Sequence, residues 1–551
     1  MENLANQRKN YKPTLPNTLK DLQSITLEKG EHPSHVDSNV AELIPNTKSQ
    51  PFMHITEKKS DVSNALKIGV VLSGGQAAGG HNVITGIYDA IKKINPNSEL
   101  IGFLNGPSGI INSEYKELTS DFIDLYRNQG GFDMIGAGRT KIETLEQFEN
   151  SAKTVTKLNL DGIVIIGGDD SNTNAALLAE YFEKENIKTK VVGVPKTIDG
   201  DLKNEHIEVS FGFDTATKTY SDIIGNIARD ALSAGKYYFF IKMMGRSASH
   251  VTLECALQTH PNYTIIAEEV AANKKTLQSI ADEMCDMIIK RAEKGKNHGV
   301  ILIPEGTIEF IPEFKALISE LNDLLSTSKH AEKIANTENR EERINLVTQQ
   351  LSKESAQCYQ TLPYEIKLQM IMDRDPHGNV QVSKIETERL FIELVKSQLK
   401  EKSSKYKGKF SAQPLFCGYE GRSCLPSNFD SQYCYSLGHV AALLINSGVT
   451  GYMASVQNLT LPVKDWTVAG IPISAMMTME KRKGKLKPVI EKALVDLNGK
   501  PFQKFVESRE SWKFNDEYIY PGPIQFFGPE SITDLTSITL DCEKSHSVSK
   551  C

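Results

Sequence analysis

Residues 67–80 read KIGVVLSGGQAAGG, and the fold follows from this run. Its first six residues are a short apolar stretch of the kind that forms a strand buried on both faces. A Gly-rich turn follows, and then apolar residues recur with helical spacing at Val83, Ile87, Ala90, Ile91 and Ile94. The pattern returns downstream. Residues 100–104 (LIGFL), 162–166 (GIVII) and 191–194 (VVGV) are short apolar runs, each closed by a turn rich in Gly, Asn or Asp. Strands that alternate with helices predict a parallel sheet covered by helices on both faces.

A second series begins at 237–244 (YYFFIKMM) and continues at 263–267 and 299–303 (GVILI), predicting a second α/β domain. Between about 308 and 405 the chain becomes a charged helical insertion. Phe314, Ile318, Leu321, Leu324 and Leu325 have helical spacing, as do Phe391, Leu394, Val395 and Leu399, and both stripes read as plain core. Residues 375–379 (DPHGN) read as a turn within it. The expected organisation is an extended N-terminal arm over 1–66 and a first α/β domain over 67–235 completed by about 425–500. A second domain over 236–424 contains the insertion, and 501–551 form a C-terminal segment. The fold class expected is α/β, with two Rossmann-like three-layer αβα domains facing a cleft.

Composition excludes several functions. The 551 residues carry 63 basic and 69 acidic side chains, a net charge of −6, which argues against nucleic acid or an anionic membrane as the main partner. Hydrophobic residues make up 39% and charged ones 24%, a globular composition. No apolar stretch approaches the ~20 residues of a membrane span, and the polar first sixty residues show no secretion signal. The eight cysteines form no C-x-x-C pair and no zinc-like spacing, so thiols of a reducing, cytoplasmic compartment are expected.

The chemistry concentrates where strands end. In 73–80 (SGGQAAGG) glycines let the backbone approach a phosphate, and the following helix start offers N–H groups to an anion. The run is neither a Walker A loop nor the G-x-G-x-x-G dinucleotide fingerprint, and a tight turn without a ligand explains it as well. In 167–171 (GGDDS) two carboxylates at a sheet edge suit Mg²⁺. Helix capping accounts for one acid better than for two. In 195–201 (PKTIDGD) Asp199 has the chemistry to take a hydroxyl proton and Lys196 that to hold a phosphate; a solvated Asp-Gly turn is the bland alternative. Arg246, in 244–247 (MGRS), suits phosphate or sugar oxygens, or a surface ion pair. Glu305 and the run 418–422 (GYEGR) complete the set.

Taken together in this order, these turns resemble the phosphofructokinase family over roughly 67–472. The wording SGGQAAGG, GGDDS, PKTIDGD, MGRS and GYEGR is similar to its long, pyrophosphate-dependent branch. ATP-dependent members read GGDGS and usually PGTIDND, so Asp170 and Lys196 replace two glycines. On this resemblance Asp170 adds bulk and negative charge where a nucleotide α-phosphate would lie. Lys196 would pair with Asp170 and with the transferring phosphoryl group.

The resemblance implies Mg²⁺-dependent, reversible transfer of a phosphoryl group from pyrophosphate to the 1-hydroxyl of fructose 6-phosphate. Gly75 and its loop, with Arg139, would bind diphosphate, and Asp169 would hold Mg²⁺. Asp199 would be the base, with Asp170 and Lys196 beside it, and Asp201 its fallback. Thr197, Met244, Gly245, Arg246 and Glu305 would line the sugar site, and Tyr419, Glu420, Gly421 and Arg422 would anchor the 6-phosphate. Lys236 and Tyr237 would reach a neighbour's site in a homodimer, because one strand separates them from the 244–246 turn. There are departures from ATP-type members, which have Asp at Gln76, His at Tyr419 and arginines at Tyr237 and Gln413. The rival readings are an ATP-dependent 6-phosphofructokinase, an NAD- or lipid-type kinase, and a non-catalytic regulatory subunit or sugar-phosphate sensor.

Overall fold

The computed structural model describes residues 3–57, 64–246, 248–327, 329–372, 380–381, 384–482 and 485–544. The turn expected at 375–379 and the serine at 247 lie outside the described residues. The chain divides into two compact units. The first comprises Met1–Thr219, Tyr419–Ala493 and Ile524–Cys551; the second comprises Tyr220–Gly418 and Leu494–Pro523.

In the first unit the strands Tyr452–Gln457, Lys190–Thr197, Gly162–Gly167, Lys67–Leu72 and Glu99–Phe103 lie side by side in that order, all parallel. Every residue of Gly162–Gly167 is buried, as a strand covered on both faces requires. One face packs Val71, Ile163, Ile165 and Val191 against Ala175, Leu178, Ala179 and Phe182 of the helix Asp169–Lys184. The register fixes what happens at the edge. Leu72 lies opposite Ile166, and Ile166 opposite Val194, so the three strands run to the same sheet edge, where Gly167 still pairs with Pro195 and the third strand continues to Thr197. That edge, beyond the carboxyl ends of parallel strands, is where such sheets bind ligands.

The arm over 1–66 is more structured than its sequence texture implies. Ile25–Lys29 and Met53–Glu57 form an antiparallel pair, and Met53–Glu57 joins the sheet beside Thr467–Pro472. These two strands thus extend the first sheet at its edge.

In the second unit Tyr263–Thr264, Asn297–Pro304, Lys236–Met243 and Ala412–Cys417 form a four-stranded parallel sheet in that order. Met243 lies opposite both Pro304 and Cys417, so the segments starting at Met244, Glu305 and Gly418 emerge at one level. Among the described residues the insertion is mostly helical, including Pro312–Thr327 and Thr387–Glu401. Phe314, Leu321, Phe391, Val395 and Leu399 are buried in this unit's core, and Ile318, Leu324, Leu325 and Leu394 pack against it. Among the described residues no helix is long and apolar enough to cross a membrane, and the cysteines are free thiols.

Candidate active site

Three turns of the first unit build a cradle lined by both signs of charge. Ser73 N–H donates to the Ile166 carbonyl at 2.8 Å and Gly74 N–H to the Gly138 carbonyl at 2.8 Å, which clamps the 136–139 segment onto the Gly-rich loop. Gly74 has φ +87°, and a Cβ there would sit 3.3 Å from the Lys196 ammonium. The left-handed backbone favours glycine here, and a side chain would also crowd the tip of the lysine. A Cβ on Gly75 would lie 3.7 Å from an Arg422 guanidinium nitrogen and 3.9 Å from one of Arg139. Both arginines thus flank the loop expected to take diphosphate. Arg422 stacks over the Tyr419 ring at 4.7 Å, and Ser423 Oγ donates to Gln76 Oε1 at 2.7 Å, tying the 419–423 helix to the same loop.

Lys196 is 6% exposed and donates to the Gly75 carbonyl at 2.6 Å. Burial pushes its ammonium down to about 8. The attraction of Asp199 and Asp169 opposes that shift, while the positive charges of Arg139 and Arg422 add to it. Asp170 is arranged otherwise than expected. Its ion-pair partner is Lys141, at 3.2 Å, with both side chains nearly half exposed, while Lys196 turns inward to the carbonyl. The cause is depth: Lys196 sits on a buried strand end, whereas Lys141 reaches Asp170 from the surface.

The helix Asp169–Lys184 begins with both acids in its first turn, where the helix dipole favours negative charge. Asn172 holds this turn to the sheet by donating to the Gly167 carbonyl at 2.6 Å and the Gly168 carbonyl at 3.0 Å, and Ser171 Oγ donates to Ser73 Oγ at 2.7 Å. Asp169 has its carboxyl raised above the usual range, first by burial and further by Asp170 and Asp201, against the pull of Lys492. Asp199 N–H donates to Thr197 Oγ1 at 3.0 Å, closing the turn that presents the Asp199 carboxylate. Asp201 is buried and pairs with Lys492 at 3.3 Å.

Mg²⁺ takes oxygen ligands and is held by one or two carboxylates plus substrate phosphates and water, not by an all-protein cage. Asp169 fits that role, being a hard oxygen donor at the rim of a phosphate cradle. Among the described residues no group of three or more His, Cys, Asp or Glu side chains is set to hold a metal.

In the second unit Met244, Gly245 and Arg246 follow the central strand directly. Gly245 has φ +149°, and its N–H donates to Glu305 Oε2 at 3.1 Å. Glu305 N–H donates to the Met243 carbonyl at 2.9 Å. Glu305, 5% exposed, therefore shapes the 244–246 turn as well as offering carboxylate oxygens beside it. Arg246 is exposed. At the other end of the strand the Lys236 ammonium lies 5.0 Å from the Tyr237 ring centre, and Tyr237 has φ +75°, an unusual backbone for a bulky residue. Eight residues separate that end from the turn, ~26 Å at strand rise.

The sequence reading missed Lys141 and Lys492. Lys141 lies two residues past Arg139, a proximity that marks it in retrospect. Lys492 follows the ribbon of Met477–Arg482 and Lys485–Ile490, and no local pattern singles it out.

A family model described as phosphofructokinase matches residues 67–445, which include every site residue named from the sequence. The chain is 50% identical over 556 residues to a pyrophosphate–fructose 6-phosphate 1-phosphotransferase of Treponema pallidum, covering 98% of this chain and 97% of that one. It is 52% identical over 530 residues to subunit beta 1 of the Arabidopsis thaliana pyrophosphate–fructose 6-phosphate 1-phosphotransferase, covering 96% and 91%. A crystal structure of pyrophosphate-dependent phosphofructokinase from Nitrosospira multiformis superposes with a TM-score of 0.54 at 13% identity, covering 88% of this chain and 99% of that one, a likeness of fold. The chain belongs to the phosphofructokinase family.

Proposed function

We propose that this protein transfers a phosphoryl group from pyrophosphate to the 1-hydroxyl of fructose 6-phosphate, giving fructose 1,6-bisphosphate and phosphate. Asp199 accepts the hydroxyl proton as the oxygen attacks. Lys196, Arg139 and the N–H groups around Gly75 hold the diphosphate, and their charge takes up the negative charge of the departing phosphate. Asp169 would hold Mg²⁺, which would supply positive charge beside the donor oxygens. Thr197, Met244, Gly245, Arg246 and Glu305 orient the sugar. Tyr419, Glu420, Gly421 and Arg422 make the remaining phosphate contacts, with Arg422 on the donor side because it lies beside Gly75.

Little covalent work falls to the protein in such transfers, where positioning and electrostatics dominate. Asp199, Thr197 and the 419–422 segment belong to the first unit together with the donor loop, and Met244, Gly245, Arg246 and Glu305 belong to the second. Lys236 and Tyr237 complete the site of a second subunit in a cytoplasmic homodimer. Because one phosphate linkage is exchanged for another, the reaction runs in both directions.

The observation that carries this reading is the buried Lys196 ammonium on the Gly75 carbonyl, a cation aimed at the loop where ATP-type members have glycine. The exposed Asp170 adds charge and bulk against a nucleoside triphosphate. Donor specificity tests it. The purified chain with fructose 6-phosphate and Mg²⁺ is expected to turn over with pyrophosphate and to show at most traces of activity with ATP. Equal or better turnover with ATP would overturn the reading.

A further inference from the structure

Lys492 lies outside the family match and in none of the motifs, yet it is built into the donor site. Its Nζ stands 3.3 Å from Asp201 Oδ2 and 3.7 Å from Asp169 Oδ2. The backbone on either side is tied down. Ile490 N–H donates to Thr173 Oγ1 at 3.0 Å, on the helix that begins with Asp169. Ala493 N–H donates to the carbonyl of Asp201 itself at 2.8 Å. The ribbon ending at Ile490 thus delivers one ammonium between two acidic turns, and with a side chain 28% exposed it remains open to ions from solvent.

We propose that Lys492 is a positioning residue that holds Asp169 and Asp201 together and competes with the divalent cation for them, so that it sets how tightly the donor site takes metal before diphosphate arrives. This rests on the reading of Asp169 as the metal-holding carboxylate. Asp201 is 3% exposed and shares a site with Asp169; without a cation the two carboxylates would repel. The ammonium supplies that cation in the unloaded protein. A divalent ion bound to Asp169 Oδ2 at ~2.1 Å would then lie no more than about 6 Å from Lys492. At that distance a double and a single positive charge repel enough, even at the dielectric of water, to weaken metal binding about tenfold. Once diphosphate is bound its negative charge offsets this repulsion, so the lysine couples tight metal binding to the presence of the donor.

The test is Mn²⁺ binding to the full chain without substrates, read from the loss of the free-ion signal in electron paramagnetic resonance. Lys492→Met is expected to bind Mn²⁺ about tenfold more tightly than wild type, and Lys492→Arg to stay within about twofold of it. Lys492→Gln serves in the same measurement should the methionine variant fail to fold. Unchanged or weaker binding in the neutral variant would overturn the proposal. Asp169→Asn separates the two claims. If it leaves Mn²⁺ binding intact, the metal is not held by Asp169 and the reading beneath falls. If it abolishes binding while the neutral Lys492 variant matches wild type, the competition alone falls.

Discussion

Replacing Lys196 by methionine should make the protein more stable and nearly inactive. Burial lowers this ammonium from its ordinary 10.5 to about 8. At ~1.4 kcal/mol per pKa unit, keeping it charged at pH 7 costs the folded chain about 3 kcal/mol. Losing the 2.6 Å hydrogen bond to the Gly75 carbonyl offsets about 1–2 kcal/mol of that. Lys196→Met is therefore expected to gain about 1–2 kcal/mol at neutral pH, which in a chain of 551 residues raises the unfolding midpoint by about 1–2 °C. The direction with pH is fixed. Between about 8 and 10.5 the unfolded chain binds this proton more tightly than the folded one, so wild-type stability rises with pH across that window and the advantage of methionine vanishes by its upper end. Over the same series, pyrophosphate-dependent turnover of the variant should fall about 10²–10³-fold, and wild-type kcat/KM should decline above about pH 8 as the ammonium is lost. Thermal unfolding and initial rates from pH 7 to 10.5 read all of this. A variant less stable than wild type at pH 7, or a stability difference that does not change with pH, would refute the description of Lys196 as a buried, charged phosphate-holding group.

Asp199→Ala should lower kcat by roughly 10²–10⁴ with a smaller change in the KM for fructose 6-phosphate; near wild-type turnover would move the base elsewhere. Asp170→Gly should make ATP a measurable donor and lower pyrophosphate turnover, seen as a change in the ratio of the two rates. Because Asp170 pairs with Lys141 and Lys196 with Gly75, adding Lys196→Gly should combine close to additively; strong non-additivity would mean the two residues act as one pair. Mixing Lys236→Ala/Tyr237→Ala chains with Asp199→Ala chains, each crippled alone, should restore activity through one intact site per mixed dimer. No recovery despite demonstrated subunit exchange would place those side chains at their own chain's site or at none.

The three turns were legible as turns because each closes a short apolar run at the end of a buried strand, while each taken alone also had a plain structural explanation, and their chemistry was read from the set of them together. The register then follows from parallel pairing. The strands of the arm were not legible, since Ile25 and Leu27, or Met53 and Ile55, supply just two apolar positions per five-residue strand, and what holds them is the sheet edge they join. Which cation reaches Asp170 was equally hidden. Composition offers Lys141 and Lys196 alike, and only depth decides, one half exposed and the other buried. Lys492 could not be found from sequence, because it meets Asp169 and Asp201 through a ribbon from far along the chain.

The most direct test of phosphoryl transfer follows ³¹P resonances in one sample of purified protein with pyrophosphate, fructose 6-phosphate and Mg²⁺. Fructose 1,6-bisphosphate and inorganic phosphate are expected to appear in equal amounts as pyrophosphate disappears, and added phosphate with the bisphosphate should regenerate pyrophosphate. Two phosphates per pyrophosphate with no bisphosphate formed, or no consumption of pyrophosphate while ATP is used, would contradict the account.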